Sequence, residues 1–222
     1  MLVAQMMGGT GNSGATQAAA PNAASSTAAA ANGTPEQPRV ERRDPEDPRA
    51  IGDVDAPVVL SEWTDLRCPF CAVYHRDTLP ALIEEYVDTG QVRIEFRDVA
   101  YFGEGSVDAA VAARAAARQG HYPEYLATVF AAAPESGHPD MAREKLIGFA
   151  EDAGVPDIAQ FTADLDDPTL ATEVQQETAE AQGLGVTGVP FFLAGDYVFS
   201  GAQPADVFRE YLDRAVEEAG DN

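Results

Sequence analysis

The sequence predicts an α/β fold, and three patterns carry that prediction. Residues 58–63, VVLSEW, form a β-rich run that leads into a helix start at Pro69. Val92, Ile94 and Phe96 alternate with Arg93, Glu95 and Arg97, the period of a strand with one buried face. From about residue 106 to 183 the apolar residues return at helical spacing. A chain of 222 residues accommodates one such domain and a tail.

The tail comes first. Residues 8–38 are mostly Gly, Ala, Ser, Thr, Asn and Pro, and the charged run ERRDPEDP follows at 41–48. With few large apolar side chains to bury, ordering this stretch costs entropy for little return. Residues 1–48 are therefore expected to form a flexible tether; Pro21, Gly33 and Pro35 oppose the competing helix through the alanines. The folded domain is expected over 49–222. After the first strand, the helix from Pro69 should kink at Pro80 and end at Gly90. A helical insertion at about 103–183 follows the second strand. Residues 190–193 and 197–199 read as a hairpin turning at Gly195 and Asp196. Val207, Phe208, Tyr211, Leu212, Ala215 and Val216 mark one stripe of a last helix.

Composition narrows the function. Asp and Glu number 37 against 14 Lys and Arg, a formal net charge of −23, with Lys145 the sole lysine. Such a surface repels phosphate backbones and anionic lipid, which excludes nucleic acid as a partner. A soluble acidic shell and adaptation to high salt both account for it. No segment has the roughly 18 apolar residues of a membrane span. Residues 1–7 are apolar but lack the basic start of a signal peptide; they fit the stump of a lost signal or anchor, or nothing.

The only two cysteines, Cys68 and Cys71, lie three residues apart, so no disulfide staples distant parts of the chain. A Cys-x-x-Cys pair in the first turn of a helix can close and reopen a disulfide without strain. Pro69 suits the first helical position, because its missing N–H is not needed there. Cys68 then sits at the helix N-terminus, where free N–H groups and the dipole favour a thiolate, and Cys71 one turn on serves as the resolving thiol. Half a zinc site is the main alternative, but no second pair exists and the histidines are only His75, His121 and His138. An inert buried pair is another.

The stretch GDVDAP at 52–57, running through EWTD at 62–65 into CPFC at 68–71, resembles the DsbA-like branch of the thioredoxin superfamily. The run GVTGVPFF at 185–192 and SGAQP at 200–204 strengthen the resemblance, which covers about residues 50–217. It implies a thioredoxin fold with an inserted helical subdomain and a protein thiol–disulfide oxidoreductase forming disulfides in exported proteins. Pro190 matches the family's cis-proline facing the sulfurs, although an ordinary strand-leading proline also fits. Val189 before it would pair with an extended substrate, with Pro69 and Phe70 completing the substrate-binding rim. Glu62 matches a buried acid that accepts a proton as Cys71 attacks; at a strand end it would instead face solvent. Trp63 reads as core or rim, and Arg67 either favours the Cys68 thiolate or is a plain surface residue. The implied partners are reduced substrate proteins and an unidentified protein that reoxidises the dithiol. A monomer needing no cofactor or metal is expected, extracytoplasmic and either tethered or secreted.

Two departures qualify this. Pro-Phe replaces the Pro-His of strongly oxidising members, and SGAQP looks like FrnE-type members, often cytoplasmic. A disulfide reductase, and a non-catalytic thiol or metal binder using Cys68, Cys71 and His75, stand as alternatives.

Overall fold

In the computed structural model, residues 40–220 are described; residues 1–39, most of the expected tether, lie outside them. A five-stranded sheet has the order β1-β3-β2-β4-β5. Its centre is β2 (Val58–Thr64), parallel to β3 (Val92–Asp98) and antiparallel to β4 (Phe191–Ala194). The hairpin strand β5 (Tyr197–Ser200) forms one edge. The short β1 (Ala50–Ile51) forms the other, antiparallel to β3, and no periodicity in the sequence marks it. β2 and β3 are joined by α1 (Pro69–Asp77), α2 (Leu79–Leu82) and a π-helical turn over Ile83–Val87, with the break at Thr78 just before Pro80. Gly90, at φ +75°, takes the left-handed conformation that ends this connection.

The helical block consists of α3 (Glu104–Ala117), α4 (Tyr122–Ala131), α5 (Arg143–Asp152), α6 (Ile158–Asp164) and α7 (Pro168–Gly183). α3 packs against each of the other four. That explains its alanines: Ala109, Ala110, Ala112, Ala113, Ala115 and Ala116 are all buried, and small side chains let neighbouring backbones approach from every side. The last helix, α8 (Ala205–Gly220), buries Phe208, Leu212 and Ala215 of the expected stripe. Phe208 meets Phe192 of β4 at 4.8 Å between ring centroids and Tyr74 of α1 at 5.1 Å, which ties strand, hairpin and active-site helix into one core.

The other face of β3 departs from expectation. Alternation predicted a solvated polar face, yet Glu95 is fully buried and Arg93 nearly so. The cover is the charged run at 41–48, expected from its composition to be tether. Backbone N–H groups of Arg42 and Arg43 donate to the two Glu95 oxygens at 2.7 and 2.8 Å, and Arg93 donates to the Asp44 carbonyl at 2.6 Å. Glu177 of α7 accepts from Arg49 at 2.6 Å and also from Arg114, which reaches Asp98 at 3.1 Å. Charge here is interior structure. Periodicity misread it because alternation reports polarity, and buried ion pairs are polar too.

Candidate active site

Cys68 is the N-cap of α1, with Pro69 at the first helical position. Its backbone leaves β2 through a turn in which the Cys68 N–H donates to the Asp65 carbonyl at 2.9 Å. Both cysteines are buried, whereas Phe70 between them is 64% exposed. The Cys68 thiol is drawn down to a pKa of about 7. The largest cause is the hydrogen bond with the Cys71 thiol. Burial opposes it, and the backbone N–H groups of Cys71 and Phe70 add to it. Cys71 is driven well above the ordinary thiol range, first by burial and then by Cys68 itself; the adjoining Thr64 side chain offsets a little. One thiol is thus primed to ionise and its neighbour to hold its proton.

The rate of iodoacetamide modification at Cys68 should rise with pH to a plateau, with a midpoint near 7, and peptide mapping should find Cys71 unmodified. A midpoint near the 8.5 of a free cysteine would remove the basis for an activated sulfur.

Opposite the sulfurs stands the loop before β4. The Val189–Pro190 peptide bond is cis, and the Cys68 thiol donates to the Val189 carbonyl at 3.5 Å. This brings residues 121 positions apart into contact. Pro190 has no N–H to direct at the sulfurs, and its carbonyl accepts from the Gly201 N–H at 2.8 Å, so SGAQP braces the loop. Cys68, Pro69, Phe70 and Val189 open onto a groove of about 870 Å³. Its far wall is Tyr101, Phe102 and His138 from the loops that precede α3 and α5. Among the described residues no carboxylate lines this groove.

Glu62 is fully buried, which disposes of the solvent-facing alternative. Its partner is His75: Nε2 lies 2.7 Å from Glu62 Oε1, while Oε2 has no hydrogen-bond partner among the described residues. Sequence reasoning named His75 only as a metal ligand. The missed signal is its place four residues after Cys71, one helical turn along the same face. Arg67 does not serve the thiolate: its guanidinium donates to the carbonyls of Phe102 at 2.7 Å and Pro139 at 3.0 Å, fastening the helical block to the active-site turn. Trp63 is core on the opposite face of β2, edge-on to Phe191 at 5.7 Å. Asp65 was also missed. Its carboxylate accepts from the Arg67 and Tyr101 N–H groups and the Ser106 hydroxyl, shaping the turn before Cys68. The TD pair just before a helix start is the Asx-turn signal that marks it. Among the described residues no cluster of three or more His, Cys, Asp or Glu is placed to hold a metal ion.

Residues 44–214 match the family model described as Thioredoxin. Disulfide bond formation protein D of Bacillus subtilis (strain 168) is 23% identical over 169 residues, covering 75% of this chain and 76% of that protein. The crystal structure of oxidised BdbD from Bacillus subtilis superposes with a TM-score of 0.71 at 23% identity, over 76% of this chain and 92% of that one. A periplasmic thioredoxin-like protein from Salmonella enterica serovar Typhimurium gives 0.62 at 21% identity, over 77% and 92%. Fold, paired cysteines and family model agree: the chain belongs to the thioredoxin family, as a DsbA-like protein thiol–disulfide oxidoreductase with Cys68 and Cys71 as its redox pair.

Proposed function

We propose that the protein forms disulfides in exported proteins, drawing electrons from substrate dithiols through Cys68. The asymmetry of the pair carries the exchange chemistry, a Cys68 thiol drawn down to about 7 beside a Cys71 held well above the ordinary range, and the likeness to disulfide bond formation protein D of Bacillus subtilis supports its direction. In the oxidised protein a substrate thiolate attacks Cys68 Sγ. The Cys68–Cys71 bond breaks, a mixed disulfide forms, and the Cys71 thiolate leaves and takes a proton. The second substrate thiolate then attacks the substrate sulfur of that mixed disulfide. The substrate gains a disulfide, and Cys68 departs as the better leaving thiolate. Two electrons now rest on the pair, and no further cofactor enters the balance. A reoxidising partner offers its own disulfide to the Cys68 thiolate; Cys71 loses its proton, attacks Cys68 Sγ and closes the bond.

The Val189 backbone pairs with an extended substrate segment, Pro190 keeps N–H donors away from the sulfurs, and Pro69 and Phe70 form the apolar rim. Glu62 exchanges the Cys71 proton. An extracytoplasmic site of action, tethered or secreted, is supported by the periplasmic neighbour and by the lack of any cysteine outside the pair. We place the working form as a monomer, its first 48 residues serving as the tether except where 41–48 joins the sheet.

One observation favours the reductase reading: a thiol near pKa 7 is closer to thioredoxin than to the strongly acidic DsbA thiol. Equilibration with glutathione buffers decides the direction. We expect a potential between those of DsbA, about −120 mV, and thioredoxin, about −270 mV. A value at or below about −270 mV overturns disulfide formation and leaves a reductase.

A further inference from the structure

We propose that His75 is a positioning residue for thiol exchange: it pins Glu62 through Oε1 so that Oε2 is the oxygen that takes and returns the Cys71 proton. The inference rests on the redox reading of Cys68 and Cys71 and adds a residue that this reading does not require.

Register makes the case. Glu62 and Thr64 are two residues apart on β2 and share a face, while Cys71 and His75 are four apart on α1 and share a face. Two strand residues advance roughly 6.6 Å and four helical residues roughly 6 Å. The two elements therefore face each other in matched rungs, with Thr64 beside the Cys71 thiol and Glu62 bound to His75 one rung along. At 2.7 Å an imidazole nitrogen and a carboxylate oxygen must hold a proton between them, so Oε1 is engaged and not free to accept another. Oε2 is buried with no partner among the described residues, which is costly for a structural carboxylate and fitting for one with a proton to exchange.

The imidazole is itself immobilised. It stacks on Phe130 of α4 at 4.2 Å, stands edge-on to Tyr74 at 5.3 Å and lies 5.9 Å from Phe96 of β3. Of these neighbours only Tyr74 ionises. Burial, then the Glu62 charge, pushes its phenol well above the usual range, so it stays neutral and does not compete for the proton. When the Cys68–Cys71 bond opens, the Cys71 thiolate receives the proton from Glu62; when the bond closes, Glu62 receives it back. In this proposal one water spans the rung between them. The His75 Nε2–H goes on donating to Oε1 throughout.

The test uses the full chain. Reduced protein is mixed with a small aromatic disulfide, and stopped-flow separates Cys68 attack, seen as aromatic thiol release, from closure by Cys71, seen as the second thiol. His75→Phe fills the same space without a donor, whereas His75→Gln keeps an N–H at the Nε2 position. Cys68 attack should be unchanged in both. Closure at pH 7 should slow at least tenfold in His75→Phe and return to within about threefold of the parent in His75→Gln. In a Glu62→Gln background His75→Phe should add nothing. The proposal is overturned if folded His75→Phe closes at the parental rate from pH 5 to 9, or if His75→Gln is as slow as His75→Phe, which would make the imidazole the proton carrier. Should His75→Phe not fold, His75→Asn, whose amide falls short of Oε1, takes its place with the same two readings. Failure of the parent to close any disulfide would instead refute the redox reading beneath.

Discussion

Replacing Cys71 by serine is expected to abolish catalysed disulfide formation, a loss of at least about a thousandfold, while Cys68 remains reactive and accumulates as a mixed disulfide. The chemistry leaves no bypass, because Cys71 is the only other sulfur close enough to bond Cys68 and the only other cysteine in the chain. Without it the protein cannot hold two oxidising equivalents. Cys68 can still attack a partner's disulfide, and the adduct then waits for an external thiol. Mass spectrometry under non-reducing conditions should show a covalent partner in stoichiometric amount that dithiothreitol removes. Turnover near the parental rate would mean Cys68 works alone. Cys71→Ala sharpens the test. The Cys71 thiol is the largest influence lowering Cys68, and serine keeps a donor there while alanine does not. The alkylation midpoint should therefore move upward from about 7 in the alanine variant and less in the serine variant.

What could be read from residues alone follows from where each signal is local. CPFC is local: a proline at the first helical position and a sulfur on either side define the turn, and the structure places both as expected. Val189 and Pro190 were reachable only through family resemblance, since the contact that matters spans 121 positions and no periodicity encodes it. Glu62 was legible as a buried acid only by resemblance, and its partner lies on another element, so no local pattern pointed to the imidazole that holds it. Arg67 was misleading for the opposite reason. Adjacency to Cys68 suggested electrostatics, whereas a long flexible side chain reaches carbonyls 35 and 72 residues away. The sheet's second face was illegible because an alternating charged strand reads as solvated unless one knows what covers it.

That covered face should dominate the stability of the domain. Glu95→Ala is expected to cost about 3–5 kcal/mol in denaturant unfolding, the scale for removing one partner from a buried ionic cluster. Glu95 accepts the N–H groups of Arg42 and Arg43 and the Arg93 Nε at 3.2 Å, so its loss strands three donors and leaves the buried Arg93 guanidinium short of its counter-charge. Glu210→Ala is the control. It removes an exposed i,i+4 pair with Arg214, where solvent screening limits the effect to below about 1 kcal/mol. A loss at Glu95 no larger than the control would mean that residues 40–49 lift off the sheet and rehydrate cheaply, and that the cluster does not hold them. Acid should expose the same cluster. Burial alone would raise the Glu177 carboxyl, but Arg49, Arg114 and Arg42 outweigh it and hold the group below its ordinary value. A depressed folded-state pKa stabilises above the unfolded carboxyl value of about 4.3, and that stability drains away as pH falls through the folded one. The melting temperature should therefore drop on acidification below about pH 4, and Glu177→Gln should flatten that limb. Covering β3 with charge, where an apolar cap would hold at any pH, makes the attachment of residues 40–49 conditional on ionised carboxylates.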